Sequence, residues 1–262
     1  MIKVTGAGFS YGNKPLLFSD ISFEVREGET LAILGPNGIG KTTLLRCMMR
    51  FLPLKKGKIE IQGESVEGMS QKQFWKDISY VPQAKRLVFG YSAVNMVVMG
   101  LSQNIAFGRT PKKEDYDRAY ELLEGFGLGD IADQSCNTLS GGQLQMVLIA
   151  RALIKKPKLL IMDEPESNLD MKNQLIVLNT IEKLSEENLA IIINTHYPEH
   201  ALRCAHKTLL MGRDGYLFGN TREVITVPHI REYFEIESRI LTCRSGNREY
   251  DSILPMDVLE YV

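Results

Sequence analysis

The chain has 262 residues, of which 44% are hydrophobic and 24% charged, and its formal net charge is -1. This is the composition of a globular protein with one large α/β domain, or with a core and a smaller appended lobe. The charge gives no general attraction to nucleic acid or to an acidic membrane surface. The longest apolar runs, such as residues 189–193, are far shorter than the roughly 20 residues that span a bilayer.

The first predicted elements are β-strands. We expect no signal peptide, because residues 1–5 already begin a strand. Residues 21–25 alternate between apolar and polar side chains, and a turn at 26–29 joins them to an apolar strand at 30–34. This pattern predicts a hairpin within an antiparallel β region over 2–34. Tyr11 is predicted to lie at a strand end.

The stretch 31–46, LAILGPNGIGKTTLLR, predicts a buried strand, a glycine-rich turn and a helix from about Lys41. The pattern G-x-x-x-x-G-K-[ST] is satisfied by Gly35, Gly40, Lys41 and Thr42. Glycines let successive backbone N–H groups converge on an anion at the positive end of a helix. Lys41 would reach the β- and γ-phosphates of a nucleotide, and the Thr42 hydroxyl would hold Mg²⁺. The alternative is a glycine-rich turn that binds nothing.

The remaining elements alternate between helices and apolar strands. Helices are predicted from a Ser92 cap to about Gly100 and over 111–126, 141–154 and 173–184. Strands are predicted within 53–63 and 76–83 and over 159–162, 189–194 and 208–211. Apolar strands alternating with helices indicate a mostly parallel sheet covered on both faces. Residues 221–262 resemble an appended helix with a small β element.

Several lysines, cysteines and histidines are better explained without a binding or metal site. Lys55, Lys56 and Lys58 have no interleaved aromatic residues, which favours a solvated turn over a nucleic-acid patch. The four cysteines lie far apart without a C-x-x-C pair, which favours buried thiols in a reducing cytosol. His196 and His200 are separated by Pro198, which argues against a metal-binding helix.

Further motifs follow the phosphate loop in a fixed order. They are L-S-G-G-Q at 139–143, D-E at 163–164, S-N-L-D at 167–170, and two residues that end strands, Gln83 and His196. Together with the loop, this set resembles the ATP-binding-cassette ATPases over about residues 1–220. The resemblance implies an α/β fold: a P-loop NTPase core with a mostly parallel sheet, an N-terminal antiparallel β subdomain and an α-helical subdomain inserted at about 84–157. Residues 221–262 would form a C-terminal extension.

The resemblance also implies an ATP site with Mg²⁺. The triphosphate would be wrapped by Gly35, Pro36, Asn37, Gly38, Ile39, Gly40, Lys41, Thr42 and Thr43. Tyr11 would stack on the adenine, unless it is simply an exposed strand aromatic. The Mg²⁺ shell would be set, directly or through water, by Thr42, Gln83 and Asp163.

Three residues would carry the chemistry: Lys41 at the phosphates, Glu164 polarising the attacking water, and His196 contacting the γ-phosphate. The alternative for Asp163 and Glu164, a pair of uninvolved loop carboxylates, is disfavoured because ligands bind at the carboxyl ends of parallel strands. Two departures from the family pattern are Ile39, where a small residue is usual, and Glu166, where threonine is usual.

The signature residues Ser140, Gly141, Gly142 and Gln143 begin a helix and so form a second anion-binding helix start. In the family, two cassettes pair head to tail, and each signature completes the site on the other's phosphate loop. The resemblance therefore implies an ATP-held dimer of this chain, with Asp170 at the contact.

The segment 89–109 resembles the corresponding segment in importers of iron–siderophore, haem and cobalamin type. The implied partners are integral membrane permease subunits and, indirectly, a solute-binding protein, with the chain at the cytoplasmic face of the membrane. The exposed apolar residues of the segment would need a partner surface, unless they fold onto the helical lobe. Two other functions stay open: a non-transport cassette ATPase, for example in iron–sulfur cluster assembly, and a regulatory module with little turnover.

Overall fold

The computed structural model describes residues 1–84, 90–104, 110–246 and 248–259. The strands, in chain order, are β1 (Ile2–Phe9), β2 (Phe18–Val25), β3 (Thr30–Leu34), β4 (Lys56–Ile61), β5 (Glu64–Ser65), β6 (Ile78–Val81), β7 (Leu159–Asp163), β8 (Ala190–Asn194), β9 (Lys207–Met211), β10 (Tyr216–Asn220), β11 (Ile236–Ser245) and β12 (Arg248–Val258).

The helices, in chain order, are α1 (Lys41–Met48), α2 (Gln71–Lys76), α3 (Ala93–Val98), α4 (Lys113–Gly125), α5 (Gly141–Leu153), α6 (Met171–Glu186), α7 (Pro198–Cys204), α8 (Thr221–Val224) and α9 (Val227–Phe234). Short 3-10 turns occur at Val66–Gly68, Met99–Asn104, Gly129–Ile131 and Cys136–Thr138. The predicted helices are present. The one predicted over 173–184 extends further at both ends than its apolar pattern indicated.

The chain divides into two compact units. Unit 1 comprises Met1–Gly68 and Leu178–Val262, and unit 2 comprises Met69–Val177. The described part of the chain contains no helix that is both long and apolar enough to cross a membrane.

Unit 1 contains an antiparallel sheet in the order β2-β1-β4-β5. In β2, Ile21, Phe23 and Val25 are buried while the residues between them are partly exposed, as expected for a sheet with one covered face. The predicted hairpin between residues 21–25 and 30–34 is wrong, because β2 pairs with β1 instead and β3 belongs to a different sheet.

The second sheet of unit 1 has β3 at its centre, parallel to β8 on one side and to β9 on the other, with β10 antiparallel to β9. Every residue of β3 and β8 is buried. Strands covered on both faces are typical of parallel sheets, which explains why β3 does not form a hairpin with the half-exposed β2. This placement brings the carboxyl ends of β3, β8 and β9 to one edge.

The C-terminal residues of unit 1 form α8, α9 and a long antiparallel hairpin of β11 and β12. This agrees with the predicted appended helix and small β element. Helix α9 is capped by Thr226, whose hydroxyl accepts a hydrogen bond from the N–H of His229 at 3.4 Å, and it buries Ile230.

Unit 2 contains the parallel pair β6 and β7, with Val81 opposite Met162, and the helices α2 to α5. The Ser79 hydroxyl donates to the carbonyl of Ala152 at 2.6 Å, which ties β6 to the end of α5. Parallel pairing in both units, together with the helices, makes the fold α/β as predicted.

The apolar segment of unit 2 is mostly folded inward. Ser92 caps α3 as predicted, and the helix buries Val94, Met96, Val97 and Val98. Met99 and Tyr91 remain 38% and 42% exposed. Most of the apolar residues thus pack within the lobe, and these two are the exposed large ones in the described part of the segment. Residues 85–89 and 105–109 of this region lie outside the described residues.

Candidate functional site

The phosphate loop lies between β3 and α1 in unit 1, as the sequence predicts. Its glycines Gly35, Gly38 and Gly40 all have positive φ angles, and Gly40 is the residue that caps α1. Gly35, at φ +142, has a further requirement: a Cβ built there would lie 2.3 Å from the carbonyl oxygen of Met211. Only glycine fits at this close approach of two backbones.

Lys41 is 4% exposed, and its ammonium lies inside the loop. It donates hydrogen bonds to the carbonyl oxygens of Gly35 at 2.7 Å and of Pro36 at 2.9 Å. A buried ammonium requires such partners because burying an unpaired charge is costly. The loop is therefore closed around its own lysine.

Ile39 is half-buried, and its Cγ2 lies 3.3 Å from the position of a Cβ on Gly35. It also lines a cavity of about 440 Å³ together with Tyr233 and Phe234 of α9. Charged side chains, those of Arg213, Asp214 and Glu232 among them, also line this cavity, so Ile39 does not lie in an apolar niche.

Tyr11 follows β1, as predicted, and is 46% exposed. Its ring lies edge-on to Phe9, with the ring centroids 4.8 Å apart. Its hydroxyl lies 3.1 Å from the hydroxyl of Thr43 in α1. Tyr11 is thus held beside the first turn of α1, with part of its ring accessible to a ligand.

His196 lies at the same sheet edge as the loop. The N–H of Thr195 donates to the carbonyl of Ile33 at 3.2 Å, which aligns the end of β8 with the end of β3. One residue earlier, the amide of Asn194 donates to the Thr42 hydroxyl at 3.4 Å. Half-buried His196 follows directly.

In unit 2, Asp163 ends β7 and Glu164 follows it, while Gln83 comes two residues after β6. Because β6 and β7 are parallel, these side chains share one edge. The Gln83 amide nitrogen donates to the Glu164 carboxylate at 3.3 Å. The predicted Gln83 and Glu164 are thus brought together.

Glu164 has φ +49, a conformation that non-glycine residues rarely adopt. The Ser167 hydroxyl donates to its carboxylate at 3.1 Å, and the Ser167 N–H donates to its carbonyl, also at 3.1 Å. Backbone strain of this kind costs about 1–3 kcal/mol and is concentrated at functional sites. Ser167 therefore fixes the carboxylate's position.

The signature residues begin α5 in unit 2. The Ser140 hydroxyl accepts from the N–H of Gln143 at 3.2 Å, and the Gln143 side chain accepts from the N–H of Ser140 at 2.9 Å. Ser140 and Gly141 are exposed. The N–H groups of the first turn have no acceptor within a helix. The Ser140–Gln143 pair uses two of the N–H groups at this end, so the exposed Gly141 N–H is the donor that faces a ligand.

Asn173 supports both the signature and Asp170. A Cβ on Gly142 would lie 2.2 Å from the Asn173 side chain. The start of α5 can therefore approach α6 this closely only because residue 142 is a glycine. Asn173 also donates to both oxygens of Asp170, at 2.8 Å from its N–H and 2.9 Å from its amide. Asp170 itself is exposed and caps α6.

The predicted Mg²⁺ ligands are a hydroxyl, a carboxylate and an amide oxygen. All three are hard oxygen ligands, so they are of the kind that Mg²⁺ prefers. Gln83 uses its amide nitrogen toward Glu164, which leaves the amide oxygen as the atom suited to the metal. Among the described residues, no group of three or more His, Cys, Asp or Glu side chains could hold a metal ion. At nucleotide sites Mg²⁺ usually keeps several waters and is bound through one or two carboxylates and the phosphates.

Sequence reasoning missed four supporting residues: Asn194, Ser167, Asn173 and Met211. Ser167 was detectable in principle, because it lies in the quoted S-N-L-D motif three residues after Glu164. The others act through contacts between distant parts of the chain, which local patterns do not encode.

Comparison with known proteins identifies the family. The model of the family described as ABC transporter matches residues 18–167, more than half of the chain.

Two curated relatives match over most of their length. The molybdate import ATP-binding protein MolC of Haemophilus influenzae is 35% identical over 236 residues, covering 90% of this chain and 88% of that protein. The iron(3+)-hydroxamate import ATP-binding protein FhuC of Bacillus subtilis is 31% identical over 244 residues, covering 92% and 90%. A solved metal-chelate type ABC transporter in an inward-facing conformation has a TM-score of 0.87 and 33% identity, with 97% of each chain covered.

Proposed function

Since the chain belongs to the ABC transporter family, whose ATP-binding subunits couple ATP hydrolysis to transport, we propose that it energises the import of a metal chelate through a separate membrane permease. We propose residues 1–220 as the ATPase domain, with a helical subdomain inserted at about 84–157 and the extension 221–262 following. The observation that carries the proposal is the Gln83–Glu164 contact beside the strained turn at Glu164.

We assign nucleotide binding to the loop and Tyr11. ATP phosphate oxygens would replace the carbonyls of Gly35 and Pro36 as the partners of Lys41, while Thr43 and its neighbours contribute N–H groups. Tyr11 would stack on the adenine. Since Thr43 holds the Tyr11 hydroxyl, the base and the phosphates would be positioned by the same helix turn.

We assign the chemistry to Glu164, His196 and Lys41. Phosphoryl transfer depends on positioning and charge stabilisation more than on covalent catalysis. Glu164, fixed by Gln83 and Ser167, would orient and polarise the attacking water, and His196 would contact the γ-phosphate. Mg²⁺, held by Thr42, Asp163 and Gln83, would neutralise charge on the phosphate oxygens.

We propose that a second copy of the chain completes the site. The exposed tip of α5 offers the N–H of Gly141, which its own helix does not use, and the hydroxyl hydrogen of Ser140, since the Ser140 N–H is already bonded to the Gln143 side chain. These donors would bind the γ-phosphate held by the partner copy, with Asp170 at the contact. ATP then stabilises the dimer, and hydrolysis removes that stabilisation because the ligand loses the group that both copies bind.

The permease contact is assigned to the surface around Met99. The neighbouring Val97 is fully buried, so a charge there would test folding, whereas the exposed Met99 can be changed without filling the core. Contact with permease subunits would hold the chain at the cytoplasmic face of the membrane. A solute-binding protein would act on the permease from the other side.

The substrate proposal rests on FhuC and on the metal-chelate type structure. The relation to MolC favours a second candidate, import of an oxyanion such as molybdate. Both would use the same ATPase subunit, because the transported solute need not contact it.

The test is to identify a permease and a solute-binding protein among the products of the neighbouring genes, to co-express them with the chain, and to measure ATP hydrolysis in proteoliposomes. We expect stimulation by the binding protein loaded with ferric hydroxamate and none by molybdate; the reverse result would establish the oxyanion function. Met99→Asp should abolish co-purification with the permease, and Leu241→Asp, a change at an exposed apolar residue of β11, should not. If neither change affects co-purification, the assigned permease contact is wrong.

A further inference from the structure

The C-terminal extension lies against the turn that supports the phosphate loop. Strand β9 ends at Met211, whose carbonyl oxygen faces Gly35 closely enough that a Cβ on Gly35 would lie 2.3 Å from it. Met211 therefore limits how far the first residue of the loop can move toward β9.

The next residue, Gly212, is packed from the other side by α9. A Cβ on Gly212 would lie 2.8 Å from both Cδ1 and Cε1 of the Tyr233 ring. The N–H of Gly212 donates to the carbonyl of Gly215 at 2.8 Å, which closes the turn between β9 and β10. Tyr233, Gly212, Met211 and Gly35 thus form one continuous series of close contacts.

On the side that faces α9, residues 36–39 border a cavity. The cavity of about 440 Å³ separates residues 36–39 from the end of α9. Side chains do not fill this space. Helix α9 therefore limits the loop's conformations through its contact with Gly212 and, next to it, Met211. An unfilled space leaves its lining without packing partners on one side.

Helix α9 is itself anchored at both ends. At its start, the His229 ring lies 2.8 Å from the carbonyl of Val224, and Ile230 is buried. In its last turn, Arg231 forms an ion pair with Glu237 of β11 at 2.9 Å. The hairpin is held to α6 by a hydrogen bond from Arg248 to Glu182 at 3.2 Å. The buried Ile230 and the packing of α9 against β11 support the Tyr233 ring, and the exposed ion pairs add little.

We propose that Tyr233 is a positioning residue for ATP binding, which acts through Gly212 and Met211 to keep the phosphate loop in its binding conformation. This gives the C-terminal extension a role and rests on the proposed nucleotide site at the loop. If only a fraction of molecules has the competent loop, the apparent dissociation constant for ATP rises by the inverse of that fraction. The chemical step at saturating ATP is unaffected, because Tyr233 does not contact the reacting atoms.

The experiment uses the full chain and its Tyr233→Ala and Tyr233→Phe variants, with phosphate release measured against ATP concentration. We expect Tyr233→Ala to raise KM for ATP roughly 3- to 10-fold while kcat stays within about twofold. Tyr233→Phe keeps the ring edge on Gly212 and should retain the KM of the unmodified protein. Tyr250→Ala is the matched control, since Tyr250 is a half-buried tyrosine of the same extension that contacts Arg203 instead.

Gly212→Ala provides a second, independent variant. Its added methyl must displace the Tyr233 ring, so it should raise KM as Tyr233→Ala does, and it decides the matter if Tyr233→Ala fails to fold. An unchanged KM in both variants, or a loss of kcat without a change in KM, would overturn the proposal. Failure of the unmodified chain to bind or hydrolyse ATP would instead overturn the proposed function and this inference with it.

Discussion

The Lys41 ammonium lies 2.7 Å from the carbonyl oxygen of Gly35, so the lysine is bonded to the same loop that is proposed to bind ATP. Phosphate oxygens must compete with this carbonyl and with that of Pro36 at 2.9 Å. A charge-assisted bond to phosphate is stronger than one to a neutral carbonyl, so the exchange favours the triphosphate.

Lys41→Ala should weaken ATP binding about 10- to 100-fold, because hydrogen bonds to charged groups contribute about 1.5–3 kcal/mol. Isothermal titration calorimetry of the purified chain would measure this loss. Lys56→Ala, at an exposed lysine of β4, serves as the control and should bind as the unmodified protein does. Equal affinity of the two variants would mean that Lys41 does not contact the phosphates.

Ser167→Ala should lower kcat up to roughly tenfold and leave KM for ATP unchanged, because it removes a bond to the Glu164 carboxylate that is 3.1 Å long. Ser167→Thr keeps the hydroxyl and should restore most of the rate. Steady-state phosphate release separates the two parameters. A rise in KM without a fall in kcat would place Ser167 in binding instead of in orienting Glu164.

Tyr11→Ala should raise KM for ATP about tenfold, since stacking of a base on an aromatic ring contributes about 1–3 kcal/mol. Tyr11→Phe loses the contact with the Thr43 hydroxyl but keeps the ring, so its KM should stay close to that of the unmodified protein. Stacking tolerates any base, and GTP should therefore be hydrolysed as well. Unchanged KM for Tyr11→Ala would identify Tyr11 as a surface aromatic.

The cysteines should differ sharply in reactivity. Cys47, Cys136 and Cys204 are buried, and Cys243 is exposed. Burial raises the pKa of Cys47 to about 12 and also raises the pKa of Cys136. The thiolate is the reactive form, and a raised pKa keeps a thiol protonated at pH 8. The disulfide reagent DTNB should therefore modify one thiol per folded chain at pH 8, and none in Cys243→Ser. Rapid modification of a second thiol would contradict the buried assignments.

The local motifs could be predicted from the sequence because their spacing is itself the signal. The glycines of the loop, the Ser140–Gln143 cap and the Ser92 cap all lie within a few residues of the groups they serve. The pairing of β3 could not be predicted in this way. A turn at 26–29 favours a hairpin locally, but burial on both faces directs β3 to β8 and β9.

Contacts between residues far apart in the sequence could likewise not be predicted from local sequence patterns. Asn194 lies beside Thr42 and Met211 beside Gly35 only because separate strands meet at one sheet edge. The apolar segment around Val97 posed a different problem, since composition alone does not distinguish residues that face the lobe from residues that face a partner. The structure buries Val97 and exposes Met99.

The shared-site account is tested most directly by the mass of the Glu164→Gln variant in solution. Glutamine keeps the size of the side chain but cannot polarise the attacking water, so the variant should bind ATP without turning it over. With ATP and Mg²⁺, light scattering should give twice the 29.6 kDa of one chain, and with ADP it should give a single chain. A variant that binds ATP and remains monomeric would contradict the claim that each nucleotide is held between two copies of the chain.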